Sequence, residues 1–172
     1  GYVDDIVGWN FIDRNNLPWD FNGHGTLVAG IIAAGRDNDV GIAGVNPGAR
    51  LMVLKAMDER GRGPASAIAE AIVYAASHGA RVINLSVGGR QLTRTEYLAV
   101  EFAWSRGAIV VVAAGNEGVE LTNYGPGGLP RAVTVTATDT ADRRVTESNF
   151  GEDIDLAAPG VDVLGPRAIG TD

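Results

Sequence analysis

Residues 109–113, Ile-Val-Val-Val-Ala, narrow the choice of architecture more than any other segment. A run of β-branched residues without polar alternation reads as a strand buried on both faces, and such strands belong to parallel sheets. Helical and extended segments then alternate along the chain. Residues 8–12 predict a short strand, 24–34 a helix and 51–56 a buried strand. Pro64 starts a second helix with Ile68, Ala71, Ile72 and Ala75 on one face, ended by Gly79. Residues 82–85 predict a strand. Thr93 caps a third helix, with Glu96 completing a capping box, and that helix ends near Arg106. Strands follow at 132–137 and 154–157. This alternation predicts an α/β domain with a mostly parallel, twisted sheet flanked by helices and joined by right-handed crossovers. At 172 residues the expectation is one domain, with no repeat and no linker.

Two short segments carry chemistry. Residues 22–29 read Asn-Gly-His-Gly-Thr-Leu-Val-Ala. They put His24 where a glycine-containing turn becomes an apolar helix. Gly23 and Gly25 clear side chains from both sides of the imidazole, which suits a general base that must approach a substrate backbone. The second segment is the end of the 109–113 strand. Ala113, Ala114 and Gly115 lead to Asn116, and ligand groups in open parallel sheets gather at the carboxyl ends of strands. A carboxamide there can donate to a developing oxyanion. The other reading of Asn116 is a turn residue that tolerates left-handed φ.

Further blocks lie around these two: Val82-Ile83-Asn84-Leu85-Ser86-Val87-Gly88-Gly89, Tyr124-Gly125-Pro126, Ala132-Val133-Thr134-Val135, Ser148-Asn149-Phe150-Gly151 and Ala157-Ala158-Pro159-Gly160. In this order the blocks resemble the subtilisin-like serine proteases, the subtilases. The resemblance implies a three-layer subtilisin-like fold, incomplete at both ends, with residues 1–172 as part of a peptidase domain. It implies a serine endopeptidase acting through a Ser-His-Asp triad, in which His24 is the histidine and Asn116 the oxyanion donor. It further implies that Gly61, Gly63, Ser86, Val87 and Gly88 pair with an extended polypeptide substrate. Ala113, Ala114 and Gly115 would line the pocket for the residue before the cut. The family keeps a cis bond in the turn holding Pro126, although trans is the commoner state of any X-Pro bond.

The family's Gly-Thr-Ser-x-Ala-x-Pro and Asp-[ST]-Gly segments do not occur in these residues. Ser66, Ser77, Ser86, Ser105 and Ser148 all lie outside a nucleophile context. Asp20, four residues before His24, reads as loop structure. The chain alone is therefore expected to be inactive, and the alternative is a degenerate subtilase that binds peptides without cutting them. The serine-bearing helix of this family packs on the sheet, so Val111 and Val135 are expected to lose cover here.

Composition sets the remaining bounds. A net charge of −7 argues against nucleic acid as a partner. No apolar run reaches membrane-spanning length, no signal peptide opens the segment, and the absence of cysteine rules out thiol chemistry. The resemblance implies a secreted protein and leaves the oligomeric state open. No cofactor is expected to be required, but Asp37, Asn38 and Asp39 form an oxygen-rich turn that could hold structural calcium, as the equivalent loop does in subtilases. The bland reading of that turn is a solvated loop, and any metal role for Asp4 and Asp5 is weaker. His78 is expected to serve as a helix C-terminal cation, and Trp9, Trp19 and Trp104 as packing residues.

Overall fold

A computed structural model describes residues 2–89 and 91–168. The chain forms two compact units, Gly1–Ala67 with Leu164–Asp172, and Ile68–Val163.

In the first unit, β1 (Gly8–Asn10) pairs in parallel with β2 (Val53–Lys55), with Trp9 opposite Leu54. Trp9 and Phe11 are buried, and Tyr2 meets the Trp9 ring edge-on at 5.1 Å. The strand stops at Asn10, short of residue 12, because the Asn10 side chain turns the backbone. Its Oδ1 accepts from the N–H groups of Ile12 and Asp13 at 3.0 and 3.1 Å. Such a side chain competes with the ladder for the next amides. The expectation of a buried strand at 51–56 is corrected. Leu51, Met52 and Val53 are exposed, since among the described residues β2 has β1 alone as a neighbour. Helix α1 (His24–Ala33) follows Gly23 and ends before Ala34. Residues 164–168 belong to the same unit, and Pro166 lies so close to Gly30 that a side chain there would collide with its ring.

The boundary between the units falls inside α2 (Ala65–Ser77). Ile68, Ala71, Ile72 and Ala75 of that helix are buried, as their spacing requires. The second unit then carries β3 (Val82–Leu85), α3 (Arg94–Ser105), β4 (Ile109–Ala113), β5 (Ala132–Thr138) and β6 (Leu156–Pro159). The four strands form one parallel sheet in the order β3-β4-β5-β6. Thr93 caps α3 with a complete capping box: its hydroxyl accepts from Glu96 N at 3.2 Å, and Glu96 Oε2 accepts from Thr93 N at 3.0 Å. The last strand begins two residues later than expected. Asp155 instead uses its carboxylate to accept from Thr134 N at 2.8 Å.

The sheet corrects the expectation that residues 109–113 are enclosed on both faces. Val110 and Val112 are fully buried, but Ile109 and Ala113 are exposed and Val111 is half-buried. In register with them, Val82 and Leu156 are exposed, and Val133 and Val135 are half-buried. One face of the sheet is thus a core and the other is apolar yet open within this unit. The composition of a strand reports what it can bury, whereas burial itself depends on what packs against it.

Three smaller expectations have distinct outcomes. Gly125–Pro126 is cis. Trp9 packs inside, but Trp19 and Trp104 are 56% and 47% exposed, and Trp104 carries the Arg131 guanidinium over its ring at 5.0 Å. His78 stacks on Tyr74 at 3.9 Å, and its Nδ1 lies 2.8 Å from the Tyr74 carbonyl, which also accepts from His78 N at 3.0 Å at the end of α2. No helix among the described residues is long and apolar enough to cross a membrane.

Candidate active site

In the first unit, His24 is the first residue of α1 and is exposed. The residue before it, Gly23, sits at φ 93° and has no side chain to cap the helix. Asp20 does that work from further upstream. Its Oδ1 accepts from Gly23 N at 2.8 Å and Asn22 N at 3.1 Å, while its Oδ2 accepts from Thr26 N at 2.8 Å and Thr26 Oγ1 at 2.7 Å. Two orphan amides of the helix start, Gly23 N and Thr26 N on either side of His24, are thereby satisfied, and His24 N itself donates to Asn22 Oδ1 at 3.3 Å. Partial burial pushes the Asp20 carboxyl upward, but the Thr26 hydroxyl and the amides of Gly23, Thr26 and Asn22 outweigh it and hold the pKa below the usual carboxylate value.

A pH-dependent contribution follows from that sign. With the folded pKa depressed, the stability Asp20 supplies is present above the ordinary aspartate pKa of about 3.9 and is lost as pH falls through the folded value. Asp20→Ala is expected to cost about 1 kcal/mol at pH 7, the usual worth of a cap. Thermal melts of both proteins across the acid range should converge at low pH. A gap that stays constant down to pH 2 would show that the carboxylate is not its source.

Asn22 ties the turn before His24 to the loop that contains Gly61. Its Nδ2 donates to Glu59 O at 3.0 Å. That loop is shaped by Asp58, which accepts from Arg60 N and Arg62 N, each at 2.9 Å. The Arg62 amide, helped by the Arg60 amide and the Arg62 guanidinium, holds the Asp58 pKa down. Gly63 lies against the Ala56 carbonyl.

Asp37, Asn38 and Asp39 sit in an exposed turn of this unit. Arg36 lies 3.6 Å from Asp37, and Asn38 Oδ1 accepts from Val40 N at 3.1 Å. Among the described residues, no three His, Asp or Glu side chains gather as a metal would require.

In the second unit the candidate residues lie at the carboxyl ends of adjacent strands. Ser86, Val87 and Gly88 follow β3, and Asn84 Nδ2 donates to Ser86 Oγ at 3.0 Å. Ala113 ends β4, followed by buried Ala114, Gly115 at φ 101° and exposed Asn116. The two segments meet on Tyr124. A Cβ on Gly88 would lie 2.6 Å from Tyr124 Cε1, and one on Gly115 would lie 2.5 Å from the Tyr124 hydroxyl. Gly89 and Gly125 exchange backbone hydrogen bonds of 2.8 and 2.9 Å beside them. Two glycine-bearing turns packed on one buried ring leave backbone accessible where a peptide could pair.

Sequence reasoning assigned no role to Tyr124, Glu117 or Asn149. Tyr124 and Asn149 belong to the segments Tyr124-Gly125-Pro126 and Ser148-Asn149-Phe150-Gly151 that resemble the family, but nothing in their residue type discloses their contacts.

The description "Subtilase family" belongs to the family model that matches residues 1–171. A "Thermophilic serine proteinase" of Bacillus sp. (strain AK1) is 46% identical over 159 residues, covering 92% of this chain and 39% of that protein. "Thermitase" of Thermoactinomyces vulgaris is 43% identical over 155 residues, covering 90% of this chain and 55% of that protein. The crystal structure of a cold adapted subtilisin-like serine proteinase superposes with a TM-score of 0.86 at 30% identity, covering 95% of this chain and 58% of that one. The chain thus spans about half the length of the relatives it matches.

Proposed function

This chain belongs to the subtilase family, and from that premise we propose that residues 1–172 are part of the peptidase domain of a serine endopeptidase. The observation that carries the reading is the pair of turns at the ends of β3 and β4. Gly88 and Gly115, one in each turn, both close on Tyr124 at the edge where parallel sheets hold their ligands.

Roles follow from the chemistry of each group. His24 accepts a proton from the attacking serine through one ring nitrogen and returns it to the leaving amine. The Asn116 carboxamide donates to the oxygen that becomes negative in the tetrahedral intermediate. Ser86, Val87 and Gly88, with Gly61 and Gly63, offer backbone groups to an extended polypeptide. Ala113, Ala114 and Gly115, all small, form one wall of the pocket for the residue before the scissile bond. Side chains and backbone amides carry this chemistry, so the proposal needs no cofactor. The serine and the aspartate come from segments other than residues 1–172, and by itself this chain does not turn over substrate. Secretion belongs to the same proposal, supported by the family resemblance.

A serine-directed fluorophosphonate tests it. The 172-residue chain is expected to stay unlabelled, while the longer protease containing it labels. Labelling of any of the five serines here would overturn the assignment of the nucleophile. An unlabelled longer protein that still binds peptides would establish the non-catalytic alternative.

A further inference from the structure

Asn149 has 0% exposure, and its side chain makes four hydrogen bonds. Its Oδ1 accepts from Glu117 N and Val119 N, each at 3.1 Å. Its Nδ2 donates to Ala114 O and Glu117 Oε2, each at 2.9 Å. A carboxamide offers two donor hydrogens and two acceptor lone pairs, and here each has a partner. The reverse orientation of the amide would set N–H against N–H and oxygen against oxygen, so the network admits one arrangement. All four partners belong to residues 114–119, the turn that brackets Asn116. The Asn149 backbone adds a fifth bond to the same turn, from its N–H to Gly115 O at 3.1 Å.

The turn is also linked directly to Asn116. Glu117 Oε2, which accepts from Asn149 Nδ2, accepts from Asn116 N at 3.0 Å as well. Tyr124 donates to the other carboxylate oxygen at 3.4 Å. Asn149 is itself fixed from behind by the sheet. Thr136 Oγ1 donates to its carbonyl at 2.8 Å, and Ser148 Oγ accepts from Ala137 N at 2.9 Å and lies 2.7 Å from Thr136 Oγ1. A rigid strand therefore holds Asn149, and Asn149 holds the turn.

We propose that Asn149 is a positioning residue for catalysis, setting the backbone of residues 114–119 so that the Asn116 carboxamide meets the developing oxyanion. The inference rests on the reading of Asn116 given above. An oxyanion donor stabilises the transition state only when it is pre-aimed, because re-aiming during the reaction consumes the gain. Asn116 is exposed and lies in a turn, so its aim depends on the backbone beneath it. A residue that sets that aim should alter turnover far more than substrate binding.

Kinetics of the longer protease, with active sites titrated, provide the test. Asn149→Asp keeps the acceptors for Glu117 N and Val119 N but removes both donors and sets a second carboxylate against Glu117. It is expected to lower kcat about tenfold or more, part of the 10²–10³ that loss of an oxyanion donor costs. KM should move by less than about twofold. If Asn149→Asp does not fold, Glu117→Ala at an exposed position cuts the link between Asn149 and Asn116 N, and the same split is expected. A lowered Tm with unchanged kcat per titrated site would make Asn149 a purely structural residue and overturn the proposal. Asn116→Ala serves as the reference. If it leaves kcat unchanged, the oxyanion reading itself fails. If it lowers kcat and neither other variant does, only the positioning role fails.

Discussion

Replacing His24 with alanine in the longer protease is expected to lower kcat by about 10⁶, the size of the loss when subtilisin, a relative, gives up its nucleophile or its base. The loss should be chemical and not a failure to fold. His24 is exposed at the first position of α1, and substitutions at such positions usually change stability by no more than about 0.5 kcal/mol. The carboxylate of Asp20 holds the first turn of the helix through the backbones of Asn22, Gly23 and Thr26. The variant should therefore melt close to the parent while its turnover collapses. Asn116→Ala removes a donor and not the base, so its expected loss is smaller, about 10²–10³. Kinetics on a peptide amide substrate, read beside the melting curves, check both. A His24→Ala enzyme that keeps even a hundredth of parental turnover would remove His24 from the role of base.

Gly115→Ala is expected to destabilise the second unit strongly. Gly115 sits at φ 101°, where a Cβ clashes with its own backbone, a strain of about 1–2 kcal/mol. Space is missing as well. The added carbon would lie 2.5 Å from the Tyr124 hydroxyl and 2.6 Å from Asn149 Nδ2. Both side chains are buried and hydrogen-bonded, so neither can swing aside without giving up its partners. Strain and displacement together should cost about 3 kcal/mol, on the usual scale for an overpacked site. For a chain of this size that is a fall of roughly 6–12 °C in Tm. Thermal unfolding followed by circular dichroism measures it. A fall under about 2 °C would mean that the turn relaxes freely, and the tight packing around Tyr124 would then carry no energetic weight.

Elements with local causes were legible before any coordinates. The buried stripe of α2 follows from the spacing of Ile68, Ala71, Ile72 and Ala75, and the start of α3 follows from Thr93 and Glu96, three residues apart. The β-branched run at 109–113 is a strand of a parallel sheet, as its composition required. The chain's place among the subtilases was legible too, because its blocks occur in order along the sequence. Contacts between distant residues were not. Asn149 bonds to Val119 across 30 positions and to Ala114 across 35, and nothing in Ser148-Asn149-Phe150-Gly151 says which amides its carboxamide will meet. Asp20 escaped for a related reason. Capping rules look at the residue adjoining the helix, and here that residue is Gly23, so the cap is supplied from three residues earlier. The open face of the sheet escaped because burial depends on neighbouring elements, and the pattern within a strand carries no record of them.

The order of strands in the larger sheet bears on how it can form. Every strand lies beside the next one in the chain, so each ladder closes a loop of about 25 residues and none must wait for a distant segment. Parallel sheets are slow to fold when their pairings span long separations. This one can grow by repeated closures of nearly equal entropic cost, from Val82 onward, with contact order kept low for its topology.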